Sequence, residues 1–351
     1  MTPRATDWGL ALLVGLLFAT GVMSLFAGRS GDAWVFAVHG AGGFALGGML
    51  VWKGRRVLRR LARPWDRRTA AGAGAAAFVA VSLLSGWAWS SGVQLSFGGY
   101  NLLSWHFALG TALTLVVLGH AVVRAKPLRR ADIAGRRQFL SVGAVAVGAY
   151  AAWWLQRPVG ELLELRGAKR RFTGSYESSS FSGNDFPTTS WVADKPRVLD
   201  PNEWRLEVGG LVERSLELTI DELDAGDELI ATLDCTGGFY SRQRWRGIAL
   251  ERLLLRARPV ETATHLRVIS HTGYRWGFEL RELEDLLLAT RVGDEELVHG
   301  HGAPLRLVAR DRRGFQWVKW VVRIELHDGP DRGAAASTVW SSFTDEGRGA
   351  A

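Results

Sequence analysis

One cysteine, Cys235, stands among 351 residues. It can form no intramolecular disulfide and no CxxC metal or redox pair, which leaves an inert core residue, a nucleophile or a ligand to a soft metal. It lies in Leu233-Asp234-Cys235-Thr236-Gly237-Gly238-Phe239-Tyr240. Ile230 to Leu233 reads as a short buried strand that Thr236-Gly237-Gly238 would end, so the thiol is expected where a strand opens into a loop, a common place for function. A lone cysteine is more often a small hydrophobe. Here Arg242, Arg244 and Arg246 come soon after it, and neighbouring cations favour the thiolate, the form that binds metal.

A second set of chemistry-bearing residues lies far upstream. Only three histidines fall within long apolar runs, His39, His106 and His120, and ionisable residues in such runs are functional candidates by default. His39 sits about six residues, and His106 about five, from the same end of their runs, so at about 1.5 Å per residue they share one depth. Two neutral imidazoles facing each other from neighbouring helices make an axial pair for a b-type haem. Gly40, Gly43, Gly47, Gly48 and Gly110 leave room for a flat macrocycle, or equally for close helix contact. His120, about 21 Å beyond His106 along its helix, serves a second haem, a quinone site or a polar contact.

The runs that carry these histidines are Trp8 to Ala27, Ala33 to Trp52, Ala70 to Trp89, Leu102 to Val123 and Phe139 to Leu155, each about long enough to span a bilayer as a helix. The intervening segments Lys53 to Arg68 and Arg124 to Arg137 are strongly basic, whereas Ser90 to Asn101 is uncharged. The positive-inside rule puts the basic loops and the N-terminus in the cytoplasm, and five spans then place the C-terminal half of the chain outside a bacterial inner membrane. Gly135-Arg136-Arg137-Gln138-Phe139-Leu140 resembles a twin-arginine export signal, an address for export of folded, cofactor-loaded domains. The net charge of +8 concentrates in these loops. Membrane topology explains it without nucleic acid, for which no binding module is present.

After a tether over 156–182, the chain reads as mixed strands and short helices, an α+β domain. Strands are expected at Trp204 to Val208, with Gly209-Gly210 as a turn, and at Leu216 to Ile220, Leu266 to Ser270, Leu305 to Ala309 and Val318 to Leu326. Helices are expected at Leu250 to Ala257 and Leu280 to Ala289. His271-Thr272-Gly273-Tyr274 reads as a loop and 329–351 as a flexible tail.

Taken together, Asn184-Asp185-Phe186, Cys235 after its strand, Trp245-Arg246-Gly247-Ile248-Ala249-Leu250, His301-Gly302-Ala303-Pro304-Leu305-Arg306 and Gly314-Phe315-Gln316-Trp317-Val318-Lys319-Trp320 resemble the sulfite oxidase superfamily of molybdopterin enzymes. The resemblance covers roughly Asn184 to His327. It implies that Cys235 ligates molybdenum, completing a sulfur-rich sphere with the pterin dithiolene. It further implies that His301 and Arg306 reach the pyranopterin and its phosphate, for which the guanidinium fork is well matched. Lys319 with the backbone at Trp317 and Val318 would hold the same phosphate, and Asn184 with His271 or Thr272 the pterin. Sulfite-oxidising members carry Asn-Arg-Arg shortly after the cysteine, whereas this chain has Gly238-Phe239-Tyr240. A dimerisation domain after Leu326 is not recognisable, as in the compact exported members.

The expected architecture is an all-α transmembrane bundle of five helices, cytochrome-like, over 1–155, followed by an α+β sulfite-oxidase-like domain over 183–328. The expected function is oxygen-atom transfer at an outward-facing molybdenum site, leaning to S-oxide or N-oxide reduction, with sulfite-type oxidation or a non-molybdenum electron-transfer role as alternatives. Tyr240, Tyr274 or Arg242 would orient the small substrate. Electrons would pass between a quinone or other membrane partner, haem b and molybdopterin.

Overall fold

The computed structural model describes residues 2–61, 64, 67–124, 126–189, 194–223 and 226–344. Part of the first basic loop, residue 125 of the second and the tail from 345 lie outside the described residues. The chain forms two compact units, Met1–Tyr176 and Glu177–Ala351.

In the first unit each expected span is one helix: α1 (Pro3–Ser24), α2 (Ala33–Leu61), α3 (Arg67–Ser91), α4 (Leu102–Arg124) and, after the one-turn α5 (Arg130–Ile133), α6 (Arg136–Leu162). All five long helices are apolar enough to cross a membrane. A small hairpin, β1 (Ser96–Phe97) with β2 (Tyr100–Asn101), connects α3 to α4. The first four long helices pack in a ring, α1 on α2, α2 on α3, α3 on α4 and α4 on α1, while α6 packs on α2. Val14, Leu46, Val79 and Leu113, one from each helix of the ring, form a buried apolar layer. The expected tether is largely ordered within this unit. Helix α6 continues through Pro158 to Leu162, and the Arg170 guanidinium donates to Ser90 O (2.7 Å) and Gln156 Oε1 (3.1 Å).

The second unit holds two sheets, after a two-residue strand β3 (Tyr176–Glu177) at the division. Its strands are β4 (Leu206–Gly210), β5 (Leu216–Leu218), β6 (Asp227–Asp234), β7 (Phe239–Ala249), β8 (His265–Ser270), β9 (Arg275–Glu279), β10 (Leu286–Val292), β11 (Glu295–Glu296), β12 (Arg306–Ala309) and β13 (Val321–His327), with α7 (Leu250–Ala257) and α8 (Ala334–Trp340). One sheet runs β5-β4-β13-β8-β9, with only β4 and β13 parallel. In the other, β7 lies between β6 and β10, and β10 also pairs with β11 and β12. A single apolar core joins the sheets, including Leu206, Val268 and Ile324 from one and Trp245, Leu288 and Val308 from the other.

Three expectations are corrected. Leu280 to Ala289 is not a helix: a 3-10 turn over Leu280–Asp285 leads into β10. The run Leu286-Leu287-Leu288-Ala289 is buried at every position and pairs with β7 on one side and β12 on the other, and a continuous apolar run of that length fits either element. Gly209-Gly210 extends β4 instead of turning it. The tail is ordered through residue 344: α8 and the turn after it bury Ala334, Ser337, Thr338, Ser341 and Ser342. The long β7 was unforeseen, since a basic run hides its alternation. Ser241, Gln243 and Trp245 face inward, while Arg242, Arg244 and Arg246 face outward.

Candidate functional site

Strands β6 and β7 form a hairpin, and Cys235 is the first residue of its turn. The Cys235 amide donates to Phe239 O (2.9 Å) and Gly238 N to Cys235 O (3.0 Å). Gly238 has a φ of +95°, the left-handed backbone that glycine adopts at no steric cost. The half-buried thiol receives the Gly237 N–H at 3.3 Å and lies 3.5 Å from Thr189 Oγ1. A buried ion pair fixes this turn to the loop before β13: Arg313 Nη1 lies 2.6 Å from Asp234 Oδ1, and Nη2 reaches Cys235 O at 3.4 Å.

The cations expected beside the thiol lie along the outer face of β7. Arg242 is exposed and stacks over Phe181, while Arg244 and Arg246 pair with Asp294, and Arg246 also with Glu228. The cation electrostatically coupled to the thiol is Lys319. Its ammonium donates to the Thr189 and Gly300 carbonyls at 2.7 and 2.6 Å. Burial, with Arg306 adding to it, pulls Lys319 down to about 7 against the opposing pull of Cys235 and Asp194.

Arg306 is the most unusual group. Its side chain is fully buried, and the one hydrogen bond it makes among the described residues is from Nη1 to His301 O (2.9 Å). Nε has no acceptor, and no carboxylate pairs with the charge among the described residues. The guanidinium lies instead over the rings of Trp245 (5.0 Å) and Trp317 (5.7 Å). Burial lowers its pKa to about 9, which leaves it charged at neutral pH. A buried charge without an acid partner is costly, and an anion beside it would offset that cost. Gly302 shapes the pocket. Its φ is +110°, and a Cβ there would come within 3.0 Å of Lys319 Cβ and 3.1 Å of Arg306 Cβ.

His301 stacks on Phe186 with centroids 3.8 Å apart, and its Nε2 donates to Asn184 O at 3.0 Å. Burial lowers it to about 4, so the ring is neutral at physiological pH. The Asn184 side chain is turned to Glu295 Oε2, Glu296 O and the Val298 amide (2.8 to 3.2 Å), bracing the His301 loop. Trp317 and Val318 are buried, with Val318 O accepting from Leu307 N (2.7 Å). Tyr240, the second residue of β7, pairs opposite Asp234, and His271 is tied through its amide to Trp320 O (2.8 Å).

Thr272 and Tyr274 face inward. Thr272 Oγ1 donates to Asp194 Oδ2 (3.1 Å), and the Tyr274 hydroxyl donates to Phe315 O. Burial, reinforced by the Asp194 charge, raises the Tyr274 phenol, so Tyr274 supports the 315–319 loop as a neutral donor. Sequence reasoning missed Asp194, whose buried carboxylate also accepts from Ser341 (3.0 Å) and Ser342 (2.6 Å). It also missed Thr189, and the Asp234–Arg313 pair, whose only signal is that both residues adjoin motifs.

In the first unit His39 of α2 and His106 of α4 stand 6.1 Å apart between ring centroids, with planes at 84°. They come from opposite corners of the four-helix ring. Each is seven residues, two turns, from its helix's member of the apolar layer, Leu46 and Leu113. The His39 Nδ1 lies 3.0 Å from Thr20 Oγ1, and His106 Nδ1 is 3.0 Å from Ser82 O and 3.1 Å from Ser85 Oγ. His120 is exposed on α4, fourteen residues from His106.

Whether the thiol pocket suits a molybdopterin can be judged from its donors. Among the described residues no group of three His, Cys, Asp or Glu side chains could hold a metal. A metal on Cys235 would therefore take its other ligands from a non-protein group. The buried Arg306, the Lys319 ammonium and the Gly302 cradle supply what an anionic phosphate tail needs. The residues fit.

Residues 192–335 match the oxidoreductase molybdopterin binding domain family. Over 158 residues the chain is 32% identical to the protein-methionine-sulfoxide reductase catalytic subunit MsrP of Gluconobacter oxydans, covering 39% of this chain and 51% of that protein. It is 30% identical over 172 residues to the protein of the same name from Xanthomonas axonopodis, covering 43% and 52%. It is 27% identical over 190 residues to the NADPH nitrate reductase of Neurospora crassa, covering 42% of this chain and 19% of that one. The chain thus spans about half the length of the curated reductases named MsrP. Its second unit carries an oxidoreductase molybdopterin-binding domain.

Proposed function

We propose that the chain is a membrane-anchored molybdopterin-dependent reductase of S-oxides, supplied with electrons through a b-type haem in its first unit. The observation that carries the enzymatic reading is the Cys235 thiol in one loop cluster with a fully buried Arg306 that lacks an acid partner among the described residues. A molybdopterin bound there supplies two-electron oxygen-atom transfer: the S-oxide takes up two electrons and two protons, its S–O bond breaks, the oxygen leaves as water and the sulfide is released. Cys235 ligates the metal. Arg306 and Lys319, with the backbone at Trp317 and Val318, would hold the phosphate. His301, kept neutral and stacked on Phe186, presents its loop to the pterin. Two features support the reductive direction: Gly238-Phe239-Tyr240 brings no cation after the cysteine, and the relatives above are named as reductases.

The first unit supports the anchoring. Its five long helices leave Leu12, Leu84, Leu115, Phe139 and Val147 exposed, an outward apolar surface that lipid would cover. With the basic segments inside, the N-terminus is cytoplasmic and the molybdopterin domain lies outside the membrane. His39 and His106 would hold the iron of one haem, which relays electrons from a quinone or another membrane donor. His120, exposed and away from that pair, is not needed for it. The test is Cys235→Ser in the full chain, assayed for S-oxide reduction with a chemical reductant. Activity should fall to background while the haem spectrum stays unchanged, and surviving activity would overturn the ligand assignment.

A further inference from the structure

The polar layer around His39 and His106 carries one step more, resting on the haem reading above. Thr20, His39, Ser85 and His106 come one from each helix of the ring, and each lies six or seven residues from its helix's member of the apolar layer Val14, Leu46, Val79 and Leu113. The two hydroxyls are not free donors. Thr20 Oγ1 donates to Leu16 O (2.8 Å), with a longer contact to Leu17 O (3.2 Å), and Ser85 Oγ donates to Ser82 O (2.8 Å). A hydroxyl has one proton, so toward the imidazoles both oxygens can only accept. The Ser82 carbonyl beside His106 is likewise an acceptor only. Every partner of the two Nδ1 atoms named here therefore calls for an Nδ1–H.

These acceptors fix the tautomer of both rings and put each lone pair on Nε2. The helix backbones leave space for this arrangement: a Cβ on Gly86 would stand 2.7 Å from His106 Cε1. A metal bonded to an imidazole nitrogen at about 2 Å on each side accommodates two rings at the observed 6.1 Å separation. The planes are crossed at 84°, and the anchors that set them sit on different helices, Thr20 on α1 and Ser82 with Ser85 on α3.

We propose that Thr20 and Ser85 are positioning residues for the haem ligands: they lock His39 and His106 as crossed Nε2-presenting imidazoles. Such outer partners are known to orient metal-bound histidines and to tune the metal. Each ring has one side-chain hydroxyl and one backbone carbonyl beside it, Thr20 and Leu17 O for His39, Ser85 and Ser82 O for His106.

The experiment uses the full chain purified in detergent from a haem-competent host, with EPR of the oxidised haem and its reduction midpoint as readouts. The wild type should give a low-spin signal of the highly anisotropic kind that crossed axial imidazoles produce. Thr20→Val keeps the shape of the side chain and removes the acceptor. It should collapse that anisotropy or convert part of the haem to high spin, and Thr20→Ser should restore it. Ser85→Ala should shift the signal in the same sense. Thr111→Val, whose one hydroxyl hydrogen bond among the described residues is to Phe107 O, should leave it unchanged. An unaltered signal and midpoint in Thr20→Val, or a wild-type signal of parallel imidazoles, overturns the positioning role while leaving the haem reading intact. A wild-type chain without haem overturns both.

Discussion

Near Cys235 the second unit buries a guanidinium, Arg306, that no acid neutralises among the described residues, whereas around His39 and His106 the first unit gathers neutral hydroxyls and carbonyls. Loops position the first set: the β6–β7 turn, the segment before β12 and the segment before β13 converge on one pocket. Helices position the second, one polar residue per helix in a single layer. The difference reflects what each place would hold. An anionic cofactor tail rewards desolvated positive charge, which strengthens its hold in a low dielectric. An iron between two neutral imidazoles needs a fixed tautomer and no net charge, the cheaper arrangement to bury among apolar helices.

The largest effect separates the two regions outright. Cys235→Ser should abolish S-oxide turnover yet leave the haem optical spectrum as in the parent chain, and a matching change in both would merge the two regions into one site. Arg306→Met should yield protein without pterin on cofactor analysis, while thermal unfolding of the cofactor-free second unit stays level or rises. Replacing an uncompensated buried charge by an apolar chain of similar size removes a desolvation cost. A large loss of stability would show instead that Arg306 serves the fold.

Arg313→Ala removes the cation from a buried ion pair with Asp234 and should cost on the order of 3–5 kcal/mol in denaturant unfolding. His301 gives a pH signature. Its folded pKa of about 4 lies below the usual 6.5, so as pH falls through that interval the unfolded chain takes up a proton that the folded chain does not. Stability of the second unit should fall from pH 6.5 toward pH 4, and His301→Gln should flatten that slope. The smallest effect is expected at Arg242, which is exposed and touches Phe181. Arg242→Ala should change stability by about 0.5 kcal/mol or less and turnover little. A large kinetic loss would bring it back as a substrate-orienting group.

Much of this was legible in the sequence because its signals are local. Five apolar runs became five helices, α7 covers Leu250–Ala257 as expected, and Cys235 does sit where a strand opens into a turn. The motif around His301 and Arg306 likewise becomes one loop beside the thiol's cation Lys319. What stayed hidden depends on partners distant in the chain. Nothing near Asp194 announces that Thr272, Ser341 and Ser342 will bond to it. Thr20 and Ser85 are ordinary hydroxyls in apolar runs until the helices bring them to His39 and His106. Proximity in sequence also misled: Arg242, Arg244 and Arg246 are close to Cys235 along the chain, but the strand's alternation carries them to its outer face. The helix expected at Leu280 to Ala289 failed for a related reason, since the pairing with β7 and β12 that makes its leucine run a strand comes from residues distant in the chain.

The most direct test is elemental analysis for molybdenum together with a reduced-minus-oxidised optical spectrum, on the full chain purified in detergent from a host that makes both cofactors. Molybdenum stoichiometric with the chain, alongside a b-type haem spectrum lost in His39→Ala and His106→Ala, is the predicted result. A chain that carries neither, or whose haem persists in both histidine variants, would contradict it.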